Sequence, residues 1–178
     1  RGAKKPTSRL SGHIEPINYV EIYYSSNSSL PPVSQIQPIN SFIKIKSDYS
    51  LLMKSQYLVE LSEKFFSDET NNKPQLDRLV KTIEELINTS HQELVILVYE
   101  YELLKSHGFG LSIFECIHCS KTLSKESHYF SISGSGFYCK NCLGEATSNE
   151  ELIKLSIESQ VIFRSIERRN YTAISQLN

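Results

Sequence analysis

The chain has four cysteines, and they stand in two pairs, Cys116-Ile117-His118-Cys119 and Cys139-Lys140-Asn141-Cys142, with nineteen residues between the pairs. Two thiolates three positions apart can grip one side of a tetrahedral ion from a tight turn, and a second such turn supplies the other side at metal–sulfur distances of about 2.3 Å. The pattern therefore predicts a structural four-Cys zinc site with Cys116, Cys119, Cys139 and Cys142 as ligands. Such a closed shell stabilises folding and leaves no position for water or substrate. Two disulfides, or four unrelated buried cysteines, are the alternatives. His118 and His128 lie close by, and either can replace a cysteine, but with four thiolates on the ion both are expected at the surface.

The intervening residues suit a hairpin. His128-Tyr129-Phe130-Ser131-Ile132 alternates, Ser133-Gly134-Ser135-Gly136 turns, and Phe137-Tyr138 returns toward the second pair. The Ser-Gly turn lacks the Lys and following helix of a phosphate-cradling loop. A metal-type cysteine pattern also favours a reducing, intracellular setting, and no apolar run reaches the roughly eighteen residues of a membrane span.

Net charge is −1, which alone argues against a nucleic-acid binder, but the charge is unevenly spread. Residues 1–46 carry six basic and two acidic groups, residues 47–110 six and eleven, and residues 111–178 seven of each. An anionic partner is expected to meet the N-terminal part first. There Arg1, Lys4, Lys5 and Arg9 form a basic loop before an alternating segment from His13 to Tyr24. Val20, Ile22 and Tyr24 share one face of that segment, while Tyr19, Glu21 and Tyr23 share the other. Basic groups beside exposed rings suit a single-stranded nucleic acid, whose phosphates meet cations while bases stack on Tyr19 and Tyr23. A solvated loop beside an ordinary strand is the alternative.

A further strand is expected from about Val33 to Ile45, and a boundary near Ser47-Asp48, where the apolar period changes from two to about 3.6. Leu51, Leu52, Leu58, Leu61 and Phe65 predict one helix, capped by Ser47 or Asp48; Leu76, Leu79, Val80, Ile83, Leu86 and Ile87 predict a second, ending near Asn88. A third runs from about His91 to Ser106, with Leu94, Val95, Val98, Tyr101 and Leu104 inward and Gly108 as its left-handed stop. Ser148-Asn149-Glu150-Glu151 has the form of a capping box, predicting a fourth helix with Leu152, Leu155, Ile162 and Ile166 inward. Arg164 and Arg168 then lie four apart, with Arg169 beside them, and can hold phosphates or complement a helix end. Ala173, Ile174 and Leu177 hint at one more helix.

Nothing in the sequence assembles an enzyme. There is no Gly-rich phosphate loop, no nucleophile motif and no triad order. Glu93, Glu100 and Glu102 have no catalytic companions, and no Pro-Cys of the zinc-deaminase pattern occurs.

The order of parts resembles the bacterial RecO family of recombination and repair proteins. The likeness rests on the basic Gly2-Ala3-Lys4-Lys5-Pro6-Thr7-Ser8-Arg9-Leu10 loop, Tyr101-Glu102-Leu103-Leu104 leading to Gly108-Phe109, and the two cysteine pairs across a hairpin. It implies an α+β fold: residues 1–46 as the C-terminal part of an OB-type β-barrel, residues 47–115 and 143–178 as an α-helical domain, and residues 116–142 as a zinc module inserted in it. The family barrel begins several strands before Arg1, so the chain is expected to lack the first strands and the last helix. The resemblance further implies a cytoplasmic, nucleoid-associated protein that is not an enzyme. Such proteins bind single- and double-stranded DNA, anneal complementary strands, and act with RecR and the single-strand-binding protein to load RecA. Lys4, Lys5 and Arg9 would then belong to the DNA-contacting surface. A protein-interaction adaptor, docking the acidic tail of a single-strand-binding protein with little DNA affinity of its own, is the second expectation.

Overall fold

The computed structural model describes residues 10–24, 32–66, 72–147 and 149–168. Arg1, Lys4, Lys5 and Arg9, Ser148 of the expected capping box, and the expected helix at Ala173–Leu177 lie outside them. The chain divides into two compact units, residues 1–90 and 91–178.

In the first unit, β1 (Tyr19–Tyr24) and β2 (Val33–Asn40) form a two-stranded antiparallel sheet. Extended structure begins later than the alternation from His13 suggests, because Ser11–His13 is a 3-10 turn. It also ends sooner than Ile45: α1 (Ile43–Lys46) follows β2 at once. The face that Val20, Ile22 and Tyr24 share is only half-buried at Val20, and Ile22 is 47% and Tyr24 62% exposed. Alternation reports that a strand can bury one side, while burial needs a layer to pack against it.

Asp48 caps α2 (Tyr49–Phe65) by accepting the Leu51 N–H at 3.0 Å. The buried stripe of α2 is Leu51, Ser55, Leu58 and Ser62, so two serines stand where Leu52, Leu61 and Phe65 were expected. Ser62 can be buried because its hydroxyl donates to the Leu58 carbonyl one turn back. α3 (Lys73–Asn88) starts with Pro74 in its first turn, where a missing N–H costs nothing. It buries Leu79, Thr82, Ile83 and Leu86 and packs on α2.

The second unit opens with α4 (Gln92–Ser106), which Gly108 terminates at φ +88°. Val95, Val98, Tyr99 and Leu103 are buried, whereas Leu104 is 43% exposed. On a helix apolar all round, periodicity does not fix which side turns inward. A four-stranded sheet follows in the order β3-β5-β4-β6. Its strands are β3 (Ser112–Cys116), β4 (His128–Ser131), β5 (Gly136–Tyr138) and β6 (Leu152–Leu155). β4 and β5 are the antiparallel hairpin expected between the cysteine pairs, and β3 lies parallel to β5.

Leu152 and Leu155 are not the first turn of a helix. They end a strand that pairs with β4 from Ser131↔Leu152 to His128↔Leu155, because the open edge of β4 offers backbone partners that a local pattern does not reveal. The last helix, α5 (Ile157–Glu167), is capped instead by Ser156, whose hydroxyl accepts the Ser159 N–H at 3.2 Å.

An apolar core packs around the sheet of this unit. Ile113, Cys116, Leu123, Phe137, Tyr138 and Cys142 are buried, with Phe130 and Phe163 packed against them. Phe137 meets Phe130 edge-on at 5.3 Å between ring centroids and Phe163 edge-on at 6.4 Å. Among the described residues no helix is long and apolar enough to cross a membrane.

Candidate metal centre

The first cysteine pair sits where β3 folds back on itself. The Ser120 N–H reaches the Cys116 carbonyl at 2.8 Å, the Cys116 N–H reaches the Lys121 carbonyl at 2.9 Å, and Ser120 takes the left-handed φ of +57° that closes so tight a turn. The second pair follows β5, where Cys139 begins a 3-10 segment, Lys140–Glu145, and the Cys142 N–H bonds the Cys139 carbonyl at 3.0 Å. The hairpin brings the turns face to face. Gly136 permits this, since a Cβ there would stand 2.9 Å from the Ser112 carbonyl oxygen and inside the Ile117 side chain.

All four Sγ atoms lie within 4.8 Å of one another, and Cys119 and Cys139 approach to 3.9 Å. A tetrahedral ion about 2.3 Å from each sulfur sets the sulfurs about 3.8 Å apart, so the cluster fits a four-coordinate metal. The two buried sulfurs are shifted in opposite directions. Burial pushes the Cys116 thiol up, but the backbone N–H groups of Cys139, Cys119 and His118 outweigh it and bring it down to about 6. Burial, followed by the neighbouring cysteine sulfurs, pushes Cys142 up to about 12. One negative sulfur thus opposes the next, and a cation is what lets all four ionise together. The four are free cysteines, not disulfides.

Neither nearby histidine joins the cluster. His118 is half-exposed and 4.0 Å from the Glu145 carboxylate. His128, expected at the surface, is buried: its Nε2 donates to the Ser124 carbonyl at 3.1 Å, because a carbonyl can only accept. Pairing with β5 and β6 places β4 inside the sheet, which a spacing argument could not anticipate.

Glu150 is the supporting residue that sequence reasoning missed as such. Its carboxylate accepts from the hydroxyls of Ser131 and Tyr138 and from the Thr147 N–H, and the Ser131 bond above all holds it below the usual carboxylate range. It ties the hairpin to the segment entering β6. A box opening at Ser148 puts its accepting carboxylate at Glu151; the bond formed is one position earlier, from the Thr147 N–H to Glu150, and it serves a turn before a strand.

The candidate DNA-contacting residues are distributed over both units. Tyr19 and Tyr23 share a face of β1 in the first, Tyr19 half-buried and Tyr23 43% exposed, with its hydroxyl donating to Glu21 at 2.8 Å. Arg164 lies in α5 and Arg168 is the residue that closes it, both in the second unit. Arg164 Nε donates to the Ile113 carbonyl at 3.4 Å, and the Arg168 guanidinium lies 5.3 Å over the Phe114 ring, so both lean on β3.

Residues 46–177 match the family model described as recombination protein O C terminal. The chain is similar to the DNA repair protein RecO of Dehalococcoides mccartyi, at 29% identity over 177 residues that cover 99% of this chain and 68% of the relative. It is also similar to the RecO proteins of a Roseiflexus species (29% over 144 residues; 81% and 51% covered) and of Bacillus pumilus (29% over 146 residues; 82% and 56%).

Proposed function

The chain belongs to the RecO family of DNA repair proteins, and on that premise we propose that it is a recombination mediator which binds and anneals DNA strands and, with RecR, helps load RecA onto strands coated by single-strand-binding protein. It works without catalysing a reaction, in the cytoplasm of a bacterium and near the nucleoid. The carrying observation is the four-sulfur cluster within the matched region. Four protein ligands complete a tetrahedral shell, which supports a structural zinc that steadies a binding scaffold. The sheet of β1 and β2 is in this reading part of an OB-type barrel, and residues 47–115 and 143–178 form the helical domain around the zinc module.

DNA is held through charge and stacking, by Arg1, Lys4, Lys5 and Arg9 with Tyr19 and Tyr23, and by the outer side of Arg168. Arg164, already bonded to Ile113, contributes by holding the end of α5 to β3. The test is the salt dependence of binding to a labelled single strand. Each phosphate contact contributes about −0.7 to the slope of log K against log salt, so replacing Lys4, Lys5 and Arg9 by Ala flattens it by roughly two units. An unchanged slope places the contacts elsewhere.

One observation favours the adaptor reading alongside. In the first unit Ile39, Phe42, Ile43 and Ile87 line an open cleft of about 430 Å³ with Lys44 among them, and Ile43 is 75% exposed. An apolar cleft beside a cation suits an acidic peptide with an apolar end, such as the tail of a single-strand-binding protein. Titration with the tail peptide and with an oligonucleotide separates the two, since peptide binding without DNA binding selects the adaptor.

A further inference from the structure

The four sulfurs are not equivalent. Cys116 is 1% and Cys142 9% exposed, whereas Cys119 and Cys139 are only half-buried. Cys139 also lines a cleft of about 210 Å³ whose wall includes Lys121, Lys140 and Asn141. Both lysines are exposed. A small polar oxidant can therefore reach one sulfur of the centre from solvent, beside two cations that favour the departure of hydroxide. Cys119, the other half-buried sulfur, stands on the opposite turn 3.9 Å from Cys139. The Cys139 N–H, meanwhile, is directed at Cys116 Sγ, 3.4 Å away, which draws density from that buried sulfur and leaves it the poorer nucleophile.

We propose that Cys139 and Cys119 form a peroxide-sensitive modification site, at which oxidation closes a Cys119–Cys139 disulfide and expels the metal. The proposal rests on the reading of the cluster as a thiolate-bound metal centre. In the first step the Cys139 thiolate attacks one oxygen of hydrogen peroxide; the O–O bond breaks, Cys139 becomes a sulfenic acid and hydroxide leaves. In the second, the Cys119 thiolate attacks the Cys139 sulfur, the S–O bond breaks and a second hydroxide leaves. Two protons from solvent convert the hydroxides to water. The two sulfurs have lost two electrons to the peroxide; a metal held by the four cysteines would keep its own charge and lose two of its four ligands, and with them its hold. The new bond spans the two turns, so the hairpin stays closed while Cys116 and Cys142 remain thiols. A dithiol reductant reopens the bond and restores the four-sulfur site.

The experiment uses the reduced full chain. Its metal content is measured first, then hydrogen peroxide is added in steps while released metal is followed with a colorimetric chelator and disulfides are mapped by peptide mass spectrometry. The expected result is one ion released for each Cys119–Cys139 disulfide, with both reversed by dithiothreitol and added zinc. Lys121→Ala with Lys140→Ala keeps the metal and slows the oxidation. A first disulfide within a pair, Cys116–Cys119 or Cys139–Cys142, or metal loss with all four thiols intact, overturns the proposal and leaves the metal centre standing. A reduced chain that holds no metal overturns the centre itself and the release step with it.

Discussion

Replacing Phe137 by Ala is expected to unfold the second unit and release the metal together, because one ring serves both. Phe137 is 1% exposed, two positions before Cys139, and packs edge-on against Phe130 and Phe163. Truncation removes roughly 100 Å³; at about 24 cal/mol per Å³ of unfilled cavity this costs about 2 kcal/mol, and with the lost transfer energy the total reaches about 3–5 kcal/mol. The two lost aromatic contacts, at about 0.5–1.5 kcal/mol each, place the variant toward the upper end of that range. Where the metal-free module is unfolded and the ion binds only the folded form, a loss of about 4 kcal/mol in folding becomes an apparent metal affinity weaker by roughly a thousandfold. Urea denaturation of the second unit and competition with a chelator of known affinity measure the two effects independently. Phe137→Leu keeps most of the volume and is expected to lose about 1 kcal/mol. An Ala variant within about 1 kcal/mol of the parent would refute the argument that this ring supports the cysteine turn.

Other perturbations test single contacts. Gly136→Ala sets a methyl group against the Ser112 carbonyl, 2.9 Å away, and Ile117; a loss of about 1–3 kcal/mol is expected, read as a lower urea midpoint. Glu150 has a folded pKa held below its ordinary 4.5, so its contribution is full above the unfolded value and disappears as pH falls through the folded one. Acid titration of Glu150→Gln should accordingly show a flatter loss of stability below about pH 4.5 than the parent. Asp48→Ala removes the cap of α2 and is expected to cost about 1 kcal/mol in thermal or urea unfolding, without changing metal content.

What the sequence determined by itself was local. The two C-x2-C turns, the β4–β5 hairpin, the Asp48 cap, the end of α3 at Asn88 and the Gly108 stop all depend on residues within a few positions of one another, where backbone preference and capping chemistry act directly. The cysteine spacing could pose the metal site, since ligands three apart on a turn need no knowledge of the rest. What tertiary structure alone decided was every choice that required a distant partner. Leu152–Leu155 satisfies an i, i+3 pattern as well as a short strand, and the open edge of β4 settled it as β6. Glu150 found Ser131 and Tyr138 across the fold in place of a helix of its own. His128 was carried inside by its strand neighbours, and the inward side of α4 was set by packing on a helix apolar all round. The physical reason is the same in each case. Hydrogen-bonding capacity and apolar surface are properties of a residue, whereas their satisfaction is a property of whichever segment the folded chain brings against it.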